Sequence, residues 1–196
     1  MRSVPSGADI HNTEGEISRI PVLEISDHMI DDVVAHLKPA LPFEGCGLIG
    51  GTINDQHIFT AMRFFPGTNA DCSPSRFTME PAEVIQAMRD MRAENLELVG
   101  IVHSHPASEA RPSDTDLREW HYPDSLMLIV SFAGSEPVLG SWWIENRTTG
   151  TRPVAIATRL VARSQGYVTL DNPVSFSRFA IRRGAGPANI LRPPSD

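Results

Sequence analysis

Residues 96–116 read Leu96-Glu97-Leu98-Val99-Gly100-Ile101-Val102-His103-Ser104-His105-Pro106-Ala107-Ser108-Glu109-Ala110-Arg111-Pro112-Ser113-Asp114-Thr115-Asp116. The run up to His103 is short, apolar and rich in β-branched residues, so it predicts a buried central strand. That strand delivers His103 and His105 at its C-terminal end. After a loop marked by Pro106 and Pro112, Ser113 and Asp116 stand in the spacing of a capping box, which predicts a short helix over 113–121.

Outward from this stretch, strands and helices follow in mixed order. Residues 26–37 read as a helix, with Ser26 as N-cap and Met29, Ile30, Val33, Val34 and Leu37 on one face. Strands are expected over 46–50 and 57–62, then a Pro66-Gly67 turn opens a polar loop. A second helix spans 80–94, with Pro81 in its first turn and Val84, Ile85, Met88 and Met91 as its apolar stripe. Further strands read over 125–132, 138–144 and 154–158. The expected fold class is α/β (α+β), with one mostly antiparallel mixed sheet flanked by helices. The domain covers 21–160. Residues 1–20 read as a flexible tail, and residues 161–196 as a largely irregular one with short ordered pieces at 167–170 and 176–181.

Composition sets the outer limits. A chain of 196 residues with 41% hydrophobic and 21% charged residues suits one globular domain. The net charge of −7 argues against nucleic acid or anionic lipid as partner, because both need clustered Lys and Arg to displace counterions. No apolar run approaches the roughly 20 residues that cross a bilayer, and the first residues lack the apolar block of a secretory signal. The expected location is cytoplasmic. Two cysteines, Cys46 and Cys72, do not make a disulfide framework.

Alternate residues of a strand point the same way, roughly 6–7 Å apart, so His103 and His105 can converge on one ion. Asp116, arriving after the loop, would complete two imidazoles and a carboxylate, a set that suits catalytic zinc with its fourth position left to water. Each half also has an ordinary reading: a chance His-x-His pair, and a Ser113-x-x-Asp116 box that only starts a helix. The two readings are compatible. Glu44 precedes the glycine-rich strand Gly45-Cys46-Gly47-Leu48-Ile49-Gly50, where glycines indicate close backbone approach. By itself it is an exposed loop carboxylate.

Taken together, Glu44 before that strand, His103-Ser104-His105-Pro106, then Ser113 and Asp116 resemble the JAMM motif of the catalytically active MPN metallopeptidases. The likeness spans about residues 22–159, and its small size looks like the prokaryotic branch of this MPN/JAB-like family. The resemblance implies one zinc per chain held by His103, His105 and Asp116, Glu44 as general base, and Ser113 as stabiliser of the oxyanion. It implies Glu44-assisted attack of a zinc-activated water on an amide bond. The implied substrate is the C-terminal tail of a ubiquitin-like or sulfur-carrier protein, bound as an added strand, with residues 67–77 and 107–112 as walls.

Other residues receive plainer readings. Cys46 reads as a buried, inert thiol, Ser104 as a packing or hydrogen-bonding residue without a catalytic part, and His121 as a surface histidine. Trp142 and Trp143 alternate faces on their strand. A metallo-β-lactamase site would need Asp-His where Ala107-Ser108 stand. The alternative from another class is a non-catalytic scaffold of the same fold, binding zinc or a ubiquitin-like partner. A complete motif argues against it, since structural zinc sites close all four positions with protein ligands.

Overall fold

The computed structural model describes residues 20–147, 150–162, 166–170 and 172–175. In chain order the elements are β1 (Val22–Ser26), α1 (Asp27–Leu37), β2 (Cys46–Ile53), β3 (Ile58–Gly67), α2 (Pro81–Ala93), β4 (Glu97–His105), α3 (Asp114–Glu119), β5 (Leu126–Ser131), β6 (Val138–Arg147), β7 (Gly150–Ala155), β8 (Ala157–Ala162), β9 (Gly166–Leu170) and β10 (Val174–Ser175). The strands form one sheet in the order β10-β6-β5-β4-β2-β3-β1-β8-β9, with β7 also pairing β6. Only β1–β3, β1–β8 and β4–β5 run parallel. The architecture is the α+β one expected, a mixed and mostly antiparallel sheet with helices on it.

Helix α1 starts where the sequence says it should. Ser26 Oγ accepts from the Met29 amide at 3.2 Å, and Met29, Ile30, Val33 and Leu37 are buried against Leu23, Ile49, Val102, Leu128 and Val130 on one face of the sheet. The opposite face carries α2 and α3. There Ala87 and Met91 of α2 pack with Leu48, Phe65 and Ile101, and Leu117 of α3 packs beside Met127, Ile129 and Trp142. The stripe of α2 is rotated from the expected one: Ile85 is 53% exposed, and Ala87 takes its place in the core.

Four features differ from the sequence reading. Strand β1 went unforeseen because Val22 to Ile25 is short and gains its place only by parallel pairing with β3 on one edge and β8 on the other. Pro66 and Gly67 end β3 instead of turning. Pro66 lies opposite Gly47, and β1 pairs only the opposite end of β3, at residues 58–60, so its missing N–H breaks no ladder there. The strand expected over 154–158 is two, β7 and β8, separated at the buried Ile156, whose amide bonds to Ser141 O at 3.1 Å. The ordered piece expected over 167–170 is β9, paired with β8, but residues read as irregular tail also supply β10, ordered by pairing with β6. The piece expected over 176–181 lies outside the described residues, as does nearly all of 1–20.

Strand β4 lies between β2 and β5, with His103 opposite Cys46 on one side and Ile129 on the other. Its last residues therefore sit at the middle of the sheet, on the face that carries α2 and α3.

Candidate active site

His103 and His105 are 1% and 3% exposed, and their rings tilt toward each other with centroids 5.1 Å apart. Their Nε2 atoms are 3.2 Å apart. Asp116 closes the triangle, with Oδ1 3.3 Å from His103 Nε2 and Oδ2 3.4 Å from His105 Nε2. A tetrahedral zinc with bonds of about 2.0–2.1 Å has ligand-to-ligand edges of about 3.3–3.4 Å. The three spacings lie close to that edge length, the two to Asp116 being made by its two different oxygens. The chemistry also fits: His105 Nδ1 faces Glu109 O at 2.8 Å, and in the neutral ring donating its proton there would leave the Nε2 lone pair for a metal ion. Among the described residues these three are the group able to hold a metal ion.

The loop between the second histidine and α3 is held from three strands. His105 bonds Glu109 O, Ser131 Oγ of β5 donates to Ser108 O at 2.6 Å, and Trp142 Nε1 of β6 donates to Ala110 O at 3.0 Å. Gly140 is required beside it, because a Cβ there would collide with Ala110 O. At the loop's end the capping box forms in full. The Asp116 amide donates to Ser113 Oγ at 3.1 Å, and the Ser113 amide and hydroxyl both donate to Asp116 Oδ2 at 2.7 Å. The helix cap and the presentation of the carboxylate are thus one structure.

Glu44 lies just ahead of β2 and is 3% exposed. It is not the exposed carboxylate that its position alone suggests. Its Oε2 is buried without a hydrogen-bond partner, as is His103 Nδ1. Burial, above all, raises its pKa to about 7, with His105 lowering it and Asp116 raising it. That value suits a base at neutral pH. Burial lowers the pKa of His103 despite its bond to Asp116. At His105 burial pulls the same way, but the bonds to Asp116 and Glu109 O and the fields of Asp116 and Glu44 win, and the pKa rises. Burial pushes Asp116 up too, yet the hydrogen bonds from His103, His105 and Ser113 hold it well below the usual carboxylate range.

The structure thus brings His103, His105, Asp116 and Ser113 into one cluster, with Glu44 near enough for its field to act on His105. Three further residues belong here, Ser104 in the hydrogen-bonding role expected of it, and Phe77 and Asn69 in roles that their place in the 67–77 loop does not specify. The Phe77 ring stacks on His103 with centroids 4.6 Å apart and planes 22° apart. Ser104, on the other side of the strand, receives the Gly45 amide on Oγ at 2.8 Å, and so ties β4 to the residue after Glu44. Asn69 Nδ2 donates to Glu44 O at 2.9 Å. Cys46 is fully buried and its thiol is pushed up to about 12, chiefly by burial, which makes it inert. A largely apolar cavity of about 450 Å³ adjoins the cluster, with His103, Asp116, Phe77, Met79, Val84 and Trp120 in its wall.

The model of the prokaryotic homologs of the JAB domain matches residues 26–145. The chain belongs to this family. It is 34% identical over 110 residues to the CysO-cysteine peptidase of Mycobacterium tuberculosis, covering 56% of this chain and 73% of that one. It is 31% identical over 105 residues to the probable TtuB-protein conjugate cleaving protease of Thermus thermophilus, covering 52% and 67%. A solution structure of a protein from Desulfitobacterium hafniense matches with a TM-score of 0.61 and 32% identity, over 74% of this chain and 97% of that one. This JAB-family chain is a hydrolase of the JAMM type. Among its described residues no helix is long and apolar enough to cross a membrane.

Proposed function

We propose that this chain is a zinc peptidase that cuts the amide bond following the C-terminal tail of a ubiquitin-like or sulfur-carrier protein. The observation that carries the reading is the convergence of His103 Nε2, His105 Nε2 and the Asp116 carboxylate, whose Oδ1 faces His103 and Oδ2 faces His105, beside a buried Glu44 with an unpartnered oxygen. Relatives named for cleaving CysO-cysteine and TtuB conjugates support the substrate class. The domain proposed for this activity is residues 21–160.

Zinc held by His103, His105 and Asp116 would supply a Lewis acid and a bound water of lowered pKa. The protein's own part is derived from its residues. Glu44, with a pKa about 7, takes a proton at the attack and returns it to the leaving amine. Ser113 Oγ, now donating to Asp116 Oδ2, turns its proton to the oxyanion as charge develops there, a role worth a few kcal/mol per donor. His105 is kept in one tautomer by Glu109 O. Apolar walls around His103 keep the dielectric low, so each of these charges acts strongly.

The test is cleavage of a sulfur-carrier protein carrying a C-terminal extension, followed by mass spectrometry with and without added zinc. Zinc-dependent release, abolished in Glu44→Gln while zinc stays bound, is the expected result. His103→Ala should lose the metal. Equal cleavage by Glu44→Gln would remove the proposed base, and cleavage indifferent to a strong chelator would remove the zinc.

A further inference from the structure

The carboxylate assigned as base is held by its backbone, and the hold comes from outside the motif. Glu44 N donates to Ser73 O at 2.8 Å, and Glu44 O accepts from Asn69 Nδ2 at 2.9 Å. Both partners belong to the segment between β3 and α2. Asn69 is the organiser of that segment. Its second Nδ2 proton goes to Arg76 O at 3.1 Å, and its Oδ1 accepts from the amides of Asp71 at 3.0 Å and Thr78 at 3.1 Å. Every donor and acceptor site of the amide is thus used. Two carbonyls on one side and two N–H groups on the other also fix which end is nitrogen, because a flipped amide would face donors with donors.

We propose that Asn69 is a positioning residue for Glu44: its amide fastens the loop over 69–78 to the backbone of the base and so fixes where the carboxylate points. This rests on the reading of Glu44 as the base. The need for such a clasp follows from the carboxylate itself, whose buried Oε2 has no bond to orient it. Its backbone is pinned by Asn69, Ser73 and the neighbouring Gly45–Ser104 bond. Asp71 and Cys72 of the same loop are exposed, and an exposed connection without such ties is mobile. The same amide, through Arg76 O, sets the residue next to Phe77, the ring stacked on His103. A base misplaced by an ångström can lose about a hundredfold in rate without losing its substrate.

The variant that tests this role is Asn69→Asp, which keeps the acceptor for Asp71 and Thr78 and removes the donors to Glu44 O and Arg76 O. Asn69→Ala removes all four bonds, and Glu83→Ala, on α2, loosens the same loop at Thr68 (Thr68 N and Oγ1 to Glu83, 2.6 and 2.9 Å) without touching Glu44. Steady-state kinetics use the extended sulfur-carrier protein, and zinc content is measured for each variant. Amide hydrogen exchange over residues 43–46 is followed in the zinc-free proteins. Expected are a fall in kcat of about tenfold or more for Asn69→Asp, with KM within about twofold and zinc at the parental level, and faster Glu44 exchange in both Asn69 variants. Glu83→Ala should keep the parental kcat. Parental kcat in Asn69→Asp while Glu44→Gln is dead overturns the proposal, as does an equal loss in Glu83→Ala. If Glu44→Gln stays active the base reading fails instead; exchange then judges the clasp alone, unchanged Glu44 exchange overturning it and faster exchange sustaining it.

Discussion

The Phe77 ring lies nearly parallel to that of His103, 4.6 Å away, and it is the aromatic partner of a histidine whose Nδ1 bonds to nothing. His105 has Glu109 O to set its ring. His103 has packing instead.

Phe77→Ala should therefore act on the metal before it acts on the fold. Loss of a group that orients a ligand costs about 10–100-fold in affinity, and a stacked pair contributes about 0.5–1.5 kcal/mol beyond its buried area. The lower part of that range, about tenfold weaker zinc binding by chelator competition, is expected. Phe77→Leu, which fills the space without a ring face, should fall between. Unaltered zinc affinity in Phe77→Ala would show that the walls of the strand suffice to orient His103.

Ser113 carries two roles that can be separated. Its hydroxyl caps α3 and donates to Asp116, and loss of a cap costs about 1 kcal/mol. Gly replaces an N-cap Ser at a cost of only a few tenths of a kcal/mol, so Ser113→Gly should unfold within about 0.5 kcal/mol of the parent. It has no side-chain donor, so the oxyanion role is lost and kcat should fall by about 10²–10³-fold. Ser113→Ala should lose both. If Ser113→Gly keeps its kcat, Ser113 is a cap alone.

The bond from Trp142 Nε1 to Ala110 O anchors the segment that joins His105 to α3. Trp142→Phe removes it and leaves a buried carbonyl without its donor, a cost of about 1–3 kcal/mol. For a chain of this size each kcal/mol lowers Tm by about 2–4 °C. A calorimetric Tm lower by several degrees is expected, and one unchanged within a degree would show that the loop does not depend on this bond.

Much of the site was legible because its geometry is local. His103 and His105 share a face by strand alternation alone. Ser113 and Asp116 share a helix start, and the cap geometry that the spacing implies is the geometry found. The core face of α1 was readable for the same reason. The unread parts depend on contacts distant in sequence. Asn69 stands 25 residues from Glu44 in a polar loop where Asn is ordinary. Phe77 reads as one more loop apolar residue until β4 lies beside it. Strand β1 exists through β8, 135 residues away at the Glu24–Arg159 bond, and no local period announces that. Ile85 was placed in the core because Ala87 is a weaker apolar signal than Ile, although the tight approach of α2 to the sheet favours the smaller side chain.

Glu44 also makes a prediction about stability in the zinc-free protein. Its folded pKa is raised from 4.5 to about 7, so between those values the folded state holds a proton that the unfolded state has released. Binding more protons when folded means that stability falls as pH rises through that window. Below pH 4.5 both states are protonated and Glu44 costs nothing by this route. Above about pH 7 the penalty is complete, on the order of 3 kcal/mol at 1.36 kcal/mol per pKa unit. Glu44→Gln abolishes the titration. In the presence of chelator, its urea midpoint should exceed that of the parent at pH 8, and the advantage should shrink steadily toward pH 5. Adding zinc at pH 8 should stabilise both proteins by mass action and narrow the gap between them, since a cation beside Glu44 offsets the cost of burying its charge. An advantage of Glu44→Gln that stayed constant from pH 5 to 8 would show that the buried carboxylate does not titrate in this range, and with it would go the argument that burial tunes Glu44 as a base.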